Sequence, residues 1–166
     1  MKLQEILLAE LKHEAIATRK ILSLVPLDQY DYKPHEKSMT LGRLATHVAE
    51  IIGWWKECLI LDVLDFSAGD FTPKVLKSTD ELLALFDDLM AKSEKILTEV
   101  DEAEFEKMWT MRNGEQIYFT MPKTQVVRTW CLNHLYHHRA QLGVYLRLLN
   151  IPVPGSYGPS ADDMGS

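Results

Sequence analysis

Apolar positions recur at near-helical spacing through Leu3, Ile6, Leu7, Leu11, Ala15, Ile16, Ile21, Leu22 and Leu24, so the pattern predicts a first helix over residues 3–24. Pro26 ends it, and the polar stretch 28–38 reads as a loop. Ser38 or Thr40 caps a second helix over 41–61, with Leu44, Val48, Ile51, Trp55 and Cys58 on its apolar face and His47 at or near that face. Residues 62–77, which contain Gly69 and Pro73, read as a long crossover loop. Ser78 with Glu81 three residues on starts a third helix that ends near residue 100. The period fails over 101–123, where Asn113-Gly114 between two β-prone runs predicts a short hairpin or extended insertion. A last helix follows over 125–149, and the Pro- and Gly-rich residues 150–166 form an arm that either packs or trails off.

Four long amphipathic helices imply an all-α chain folded as a single four-helix-bundle domain over residues 1–166, with a β-hairpin or irregular insertion before the last helix. The long connection after helix two permits a crossover, so up-down-up-down order is not required.

Composition narrows the function classes. A formal net charge of −6, with no basic block, argues against a nucleic-acid surface. The N-terminus is amphipathic and acidic rather than signal-like, and Asp62 and Asp65 interrupt the nearest apolar run, so no membrane span is expected. Cys58 and Cys131 are distant in sequence and form no CxxC pair, which points to a reduced, cytoplasmic setting.

The last helix concentrates the chemistry. Three of six histidines, His134, His137 and His138, fall between Trp130 and Arg139. Residues four apart on a helix differ by roughly 40° and residues three apart by roughly 60°. Either His134 with His138 or His134 with His137 can therefore present two imidazoles to a transition metal, with further ligands from elsewhere. His47 on helix two is a candidate for the third. Cys131, three residues before His134, can approach the same site, although a buried Cys is usually a small apolar filler. Glu50, three residues after His47, can orient a ligand or take a proton. Arg139 and Tyr157 are weaker candidates for an anion near the metal, and Trp54 for a pocket wall. His13 and His35 have no partner in the pattern. A di-iron bundle needs two Glu-x-x-His motifs, and only Glu10-Leu11-Lys12-His13 occurs.

Tyr32-Lys33-Pro34, the run Ser38-Met39-Thr40-Leu41-Gly42-Arg43-Leu44-Ala45-Thr46-His47, the run His134-Leu135-Tyr136-His137-His138-Arg139-Ala140-Gln141-Leu142 and the arm Pro154-Gly155-Ser156-Tyr157-Gly158-Pro159 together resemble the DinB/YfiT-like family of metal-dependent enzymes. Tyr32 stands where that family usually has Trp, and Ala140 where it usually has Gly. The resemblance covers the whole chain. It implies an up-down-down-up bundle, often dimeric, and metal ligands at His47, His134 and His138, with His137 a bystander. Three imidazoles leave coordination positions open, as catalytic sites do. The expected cofactor is a divalent transition metal, Zn or Ni first. The expected reaction activates water or a low-molecular-weight thiol toward a small-molecule substrate, as a hydrolase or thiol transferase. The competing reading is a stress- or DNA-damage-inducible metal-binding or interaction protein without turnover.

Overall fold

A computed structural model describes residues 2–165. The chain is mostly helical, with a small three-stranded sheet. Helix α1 (Leu3–Leu22) starts where Glu5 Oε2 accepts the Lys2 backbone N–H at 2.9 Å, and buries Leu7, Leu11, Ala15, Ile21 and Leu22. Helix α2 (Leu41–Ile51) is capped by Thr40, whose hydroxyl oxygen accepts the Arg43 N–H at 3.1 Å. Ser78 caps helix α4 (Thr79–Glu99) in the same way through Glu81. The last helix comprises α5 (Lys123–Val126), a wide π-helical segment at Val127–Asn133, and α6 (His134–Leu148). Helix α1 packs on α4 and α6, and α2 packs on the same two helices. Their facing side chains form one core, in which Leu11, Leu44, Val48, Leu97 and Leu142 are fully buried.

The second helix is not continuous over 41–61. It breaks after Ile51 and resumes as the short α3 (Trp55–Leu59). Two contacts from α4 fall at the break. Ser93 donates its hydroxyl to the Ile52 carbonyl at 2.6 Å, giving that carbonyl a partner where the helical pattern stops. At Gly53 a Cβ would lie 2.7 Å from a Leu89 methyl group, so α4 approaches too closely for a side chain there. Trp54 sits in this break.

The crossover read as loop contributes strand β1 (Val63–Asp65), which pairs in parallel with β2 (Met108–Asn113). β2 pairs antiparallel with β3 (Gln116–Pro122), so the anticipated hairpin is present and is the major part of the sheet. Its turn is Gly114-Glu115, one residue later than Asn113-Gly114, with Gly114 at φ 59 and its N–H on Asp65 Oδ1. Arg112 also bonds Asp65, at 2.8 Å, which fastens β1 to the hairpin.

Lys123 has no solvent exposure, yet its ammonium contacts the Leu59 carbonyl at 2.8 Å, Asp62 at 2.7 Å and Glu104 at 3.2 Å. It ties the end of α3 to the base of the last helix. No helix among the described residues is long and apolar enough to cross a membrane.

Candidate metal centre

His47 comes from the middle of α2; His134 and His138 come from the first turns of α6, one turn apart. The packing of α2 against α6 brings the three together. Ring centroids lie 5.1 Å apart for His47 and His134, 4.7 Å for His47 and His138, and 4.6 Å for His134 and His138. One ring nitrogen from each falls within 4.8 Å of the other two, and among the described residues this is the group arranged to share a metal ion. His47 Nε2 and His134 Nε2 face each other at 3.3 Å. Geometry thus chooses between the two pairs that helical spacing leaves open: His138 joins the cluster, and His137 is exposed beside it.

The rings are held differently. His138 Nδ1 lies 2.7 Å from the Gln141 amide oxygen, so the Nδ1–H donates to Gln141 and Nε2 keeps its lone pair for the cluster. His134 is fixed by packing, edge-on to Trp54 at 5.0 Å and Trp130 at 5.5 Å. Its Nδ1 is buried with no hydrogen-bond partner among the described residues.

Electrostatics keep these imidazoles neutral. Burial is the largest cause lowering His47 to about 3, helped by His138, His134 and Arg43; burial followed by repulsion from His138 and His137 lowers His134 to about 4. Burial lowers His138 too, against the opposing effect of its bond to Gln141. Neutral imidazole is the form that ligates metal. A cluster of three neutral donors, two with Nε2 atoms directed at one another, fits a divalent transition metal by donor chemistry and by placement.

The centre borders a cavity of about 840 Å³, lined on the histidine side by His47, Arg43, Trp54 and Trp130. Trp54 and Trp130 lie 6.2 Å apart, and Phe119 stacks on Trp130 at 5.9 Å, so one side of the histidines is walled by aromatics. Glu50 also lines the cavity and pairs with Arg43 at 3.3 Å.

The remaining sequence candidates lie elsewhere. Cys131 is buried against Cys58, and burial first, then Cys58, raises its thiol well above the usual range. The widened turn at Val127–Asn133 alters the helical phase between Cys131 and His134, and the metal-compatible group does not include the thiol. Arg139 is 3% exposed and spends its guanidinium on α1 and the arm, at 2.7 Å from Glu14 Oε2, 3.1 Å from the Thr18 hydroxyl and 2.6 Å from the Tyr157 hydroxyl. Tyr157 in turn donates to Glu14 at 2.9 Å. This cluster fastens the C-terminal arm to α1 and α6. Lys123 and Gln141 were not singled out by sequence reasoning; for Gln141 the available signal is its position three residues after His138 on one helix face.

The sequence model of the DinB family matches residues 1–165. The chain belongs to the DinB family. Among solved structures, a DinB-like protein from Bacillus subtilis, YjoA, is similar with a TM-score of 0.68 and 18% identity, covering 90% of this chain and 95% of that one. A DinB-like protein from Bacillus cereus ATCC 10987 is similar with a TM-score of 0.68 and 21% identity, over the same shares of the two chains. These likenesses show a shared DinB-like fold. No curated protein matches the chain.

Proposed function

We propose that this DinB-family chain is a metal-dependent enzyme that uses His47, His134 and His138 to hold a divalent metal, Zn or Ni first, and activates water or a low-molecular-weight thiol. The observation that carries the reading is the convergence of three neutral imidazoles, one of which, His47, lines a large cavity. Three protein donors leave room for an exchangeable ligand, which a closed four-donor structural site does not. A metal bound there supplies Lewis acidity, which brings the titration of water or a thiol down toward neutrality.

The chain's own residues do the rest. Gln141 fixes the tautomer and orientation of His138. Trp54 and Trp130 hold His134 and keep bulk water from that side. Glu50, on the cavity wall three residues after His47, accepts the proton that the nucleophile gives up. With water the outcome is hydrolysis. With a thiol, a sulfur–carbon bond forms and the leaving group departs with its electron pair.

The same reading includes an up-down-down-up four-helix bundle, supported by α1 and α2 each packing on both α4 and α6. It also includes a cytoplasmic location and a homodimer, which sedimentation at micromolar concentration tests; a monomer there sinks the dimer alone.

The deciding experiment is elemental analysis of protein purified without a metal-affinity tag. It is followed by hydrolysis and thiol-conjugation screens on the metal-loaded protein, with the His47→Ala, His134→Ala, His138→Ala triple variant as control. Stoichiometric metal with turnover lost in the triple variant supports the enzyme. Stoichiometric metal without turnover favours a non-catalytic, stress-inducible metal-binding protein. Failure to take up metal after repletion overturns both.

A further inference from the structure

A continuous run of aromatic rings leads from the histidines along the cavity beside them. His47 meets Trp54 at 5.5 Å between centroids, Trp54 meets Trp130 at 6.2 Å, Trp130 stacks on Phe119 at 5.9 Å, and Phe119 meets Trp109 at 5.9 Å. Trp54, Trp109 and Trp130 line the cavity together with His47. The Trp109 indole N–H is spent on the Glu57 carbonyl at 2.8 Å, so what this ring adds to the wall is apolar. Phe66 and Phe71 also line the cavity, packed edge to face at 4.9 Å, yet they remain 39% and 47% exposed. Two large rings held at a cavity and left half in water supply apolar area that a ligand can cover. At about 840 Å³ the space falls in the range of small-molecule sites, which span roughly 300–1,000 Å³.

The charges around the same space cancel. Arg43 is paired with Glu50 inside the lining, Lys92 with Asp88, and Lys95 with Glu99. What remains is Lys56 and Lys74 against Glu57 and Asp70, two of each sign, and all but the half-buried Glu57 are exposed. A charged ligand entering such a site gives up hydration and finds no opposite surplus to replace it. An uncharged one loses little, and an aromatic one gains ring–ring contacts beyond the area it buries.

The geometry points to a binding pocket for an uncharged, flat aromatic molecule, seated against Trp54 and Trp130 and covered by the Phe66–Phe71 pair. One edge of the bound molecule lies beside His47. That this molecule is the substrate rests on the enzyme reading above; the binding preference does not.

The test is titration calorimetry on the full chain with 1-naphthylacetamide and three relatives. These are the anion 1-naphthylacetate, the cation 1-naphthylmethylammonium, and the decahydronaphthyl amide, which keeps the size but loses the flat π-face. Each is measured on protein as purified and after chelator, so that coordination of the carboxylate to a bound metal is separated from the pocket's own preference. Metal content and a thermal melt are recorded for every sample. Saturable binding of the amide is expected, with an affinity that does not change between low and physiological salt. After chelator it should exceed both charged relatives by about fivefold or more, and in both samples the saturated amide by about threefold or more. Phe66→Ala with Phe71→Ala, both at exposed positions, should weaken the amide by about threefold or more. Lys56→Gln with Lys74→Gln should leave it unchanged. No saturable binding overturns the proposal. So does a charged relative that binds the chelator-treated protein as tightly as the amide, a saturated amide that binds as tightly as the aromatic one, or an affinity indifferent to loss of both phenylalanines. Aromatic, uncharged-selective binding by a preparation that takes up no metal supports this pocket while sinking the metal reading. Stoichiometric metal without naphthylacetamide binding does the reverse.

Discussion

His138 Nδ1 and the Gln141 amide oxygen are 2.7 Å apart, one helical turn along α6, and this bond is what directs His138 Nε2 toward His47 and His134. Partners of this kind orient metal-ligating imidazoles, and their loss costs about 10- to 100-fold in metal affinity. Gln141→Leu should lower affinity for Zn by that order, whereas Gln141→Glu, which keeps an acceptor, should retain it. Competition against a chromophoric chelator measures both. Equal affinity in wild type and Gln141→Leu would show that packing alone orients His138.

The depressed histidines make the metal-free protein sensitive to mild acid. An unfolded imidazole titrates near about 6.5, while burial lowers His47 to about 3 and His134 to about 4. Between those limits the unfolded chain binds protons that the folded chain refuses. Stability is therefore greatest above about pH 6.5 and falls as pH drops toward 4. Asp65 and Asp162, held to about 2 by hydrogen bonds and their arginine partners, add their own loss only below the ordinary carboxylate range. Melting temperature measured in chelator between pH 7 and 4.5 should fall steadily. In the His47→Gln, His134→Gln protein the slope should flatten; an unchanged slope would remove these two groups as its source.

The site was more legible in the sequence than the shape of the helices that carry it. His134 and His138 share a face because of the helical period, a local rule that sequence obeys directly. His47 lies on the inward side of α2 for the same reason. The breaks in the second and last helices are not local. The Ile52 carbonyl at the break finds its partner in Ser93, forty-one residues away, and Gly53 is where Leu89 approaches. Strand β1 is three residues long and is anchored through Asp65 to Arg112 and Gly114, partners on the distant hairpin. Lys123 reads as an ordinary surface lysine until Leu59, Asp62 and Glu104 are placed around it.

Arg139 illustrates how a residue adjacent to a candidate metal ligand can serve the fold instead. Its pairing with Glu14 is buried on both sides, at 4% and 6% side-chain exposure. Removing one member of such a pair strands the other charge and costs about 3–5 kcal/mol. Arg139→Met should therefore lower the melting temperature by roughly 6–20 °C without changing the metal stoichiometry. Glu14→Gln added to Arg139→Met should recover part of the loss, because no uncompensated carboxylate then remains. Tyr157→Phe deletes the hydroxyl that bridges the two and should loosen the arm, read as faster amide exchange at residues 153–163. Loss of bound metal in a folded Arg139→Met protein would contradict a purely structural role.

Ser93 offers a test of how the break in the second helix shapes the centre. Its hydroxyl is buried and bonds the Ile52 carbonyl at 2.6 Å. Ser93→Ala leaves that acceptor unpartnered, at a cost of about 1–3 kcal/mol. Without that tether the backbone at residues 52–54 is freer to move, and Trp54 with it, away from its edge-on contacts with His47 and His134, now at 5.5 Å and 5.0 Å between centroids. Less aromatic packing on His134 means a less constrained ring, since its Nδ1 has no hydrogen-bond partner among the described residues. The expected result is a modest drop in melting temperature together with weaker Zn binding and altered tryptophan fluorescence. Ser93→Thr, which keeps the hydroxyl, should preserve the metal affinity if the extra methyl is accommodated. A Ser93→Ala protein that is less stable but binds Zn with unchanged affinity would separate the break from the metal centre and leave Trp54 as cavity wall alone.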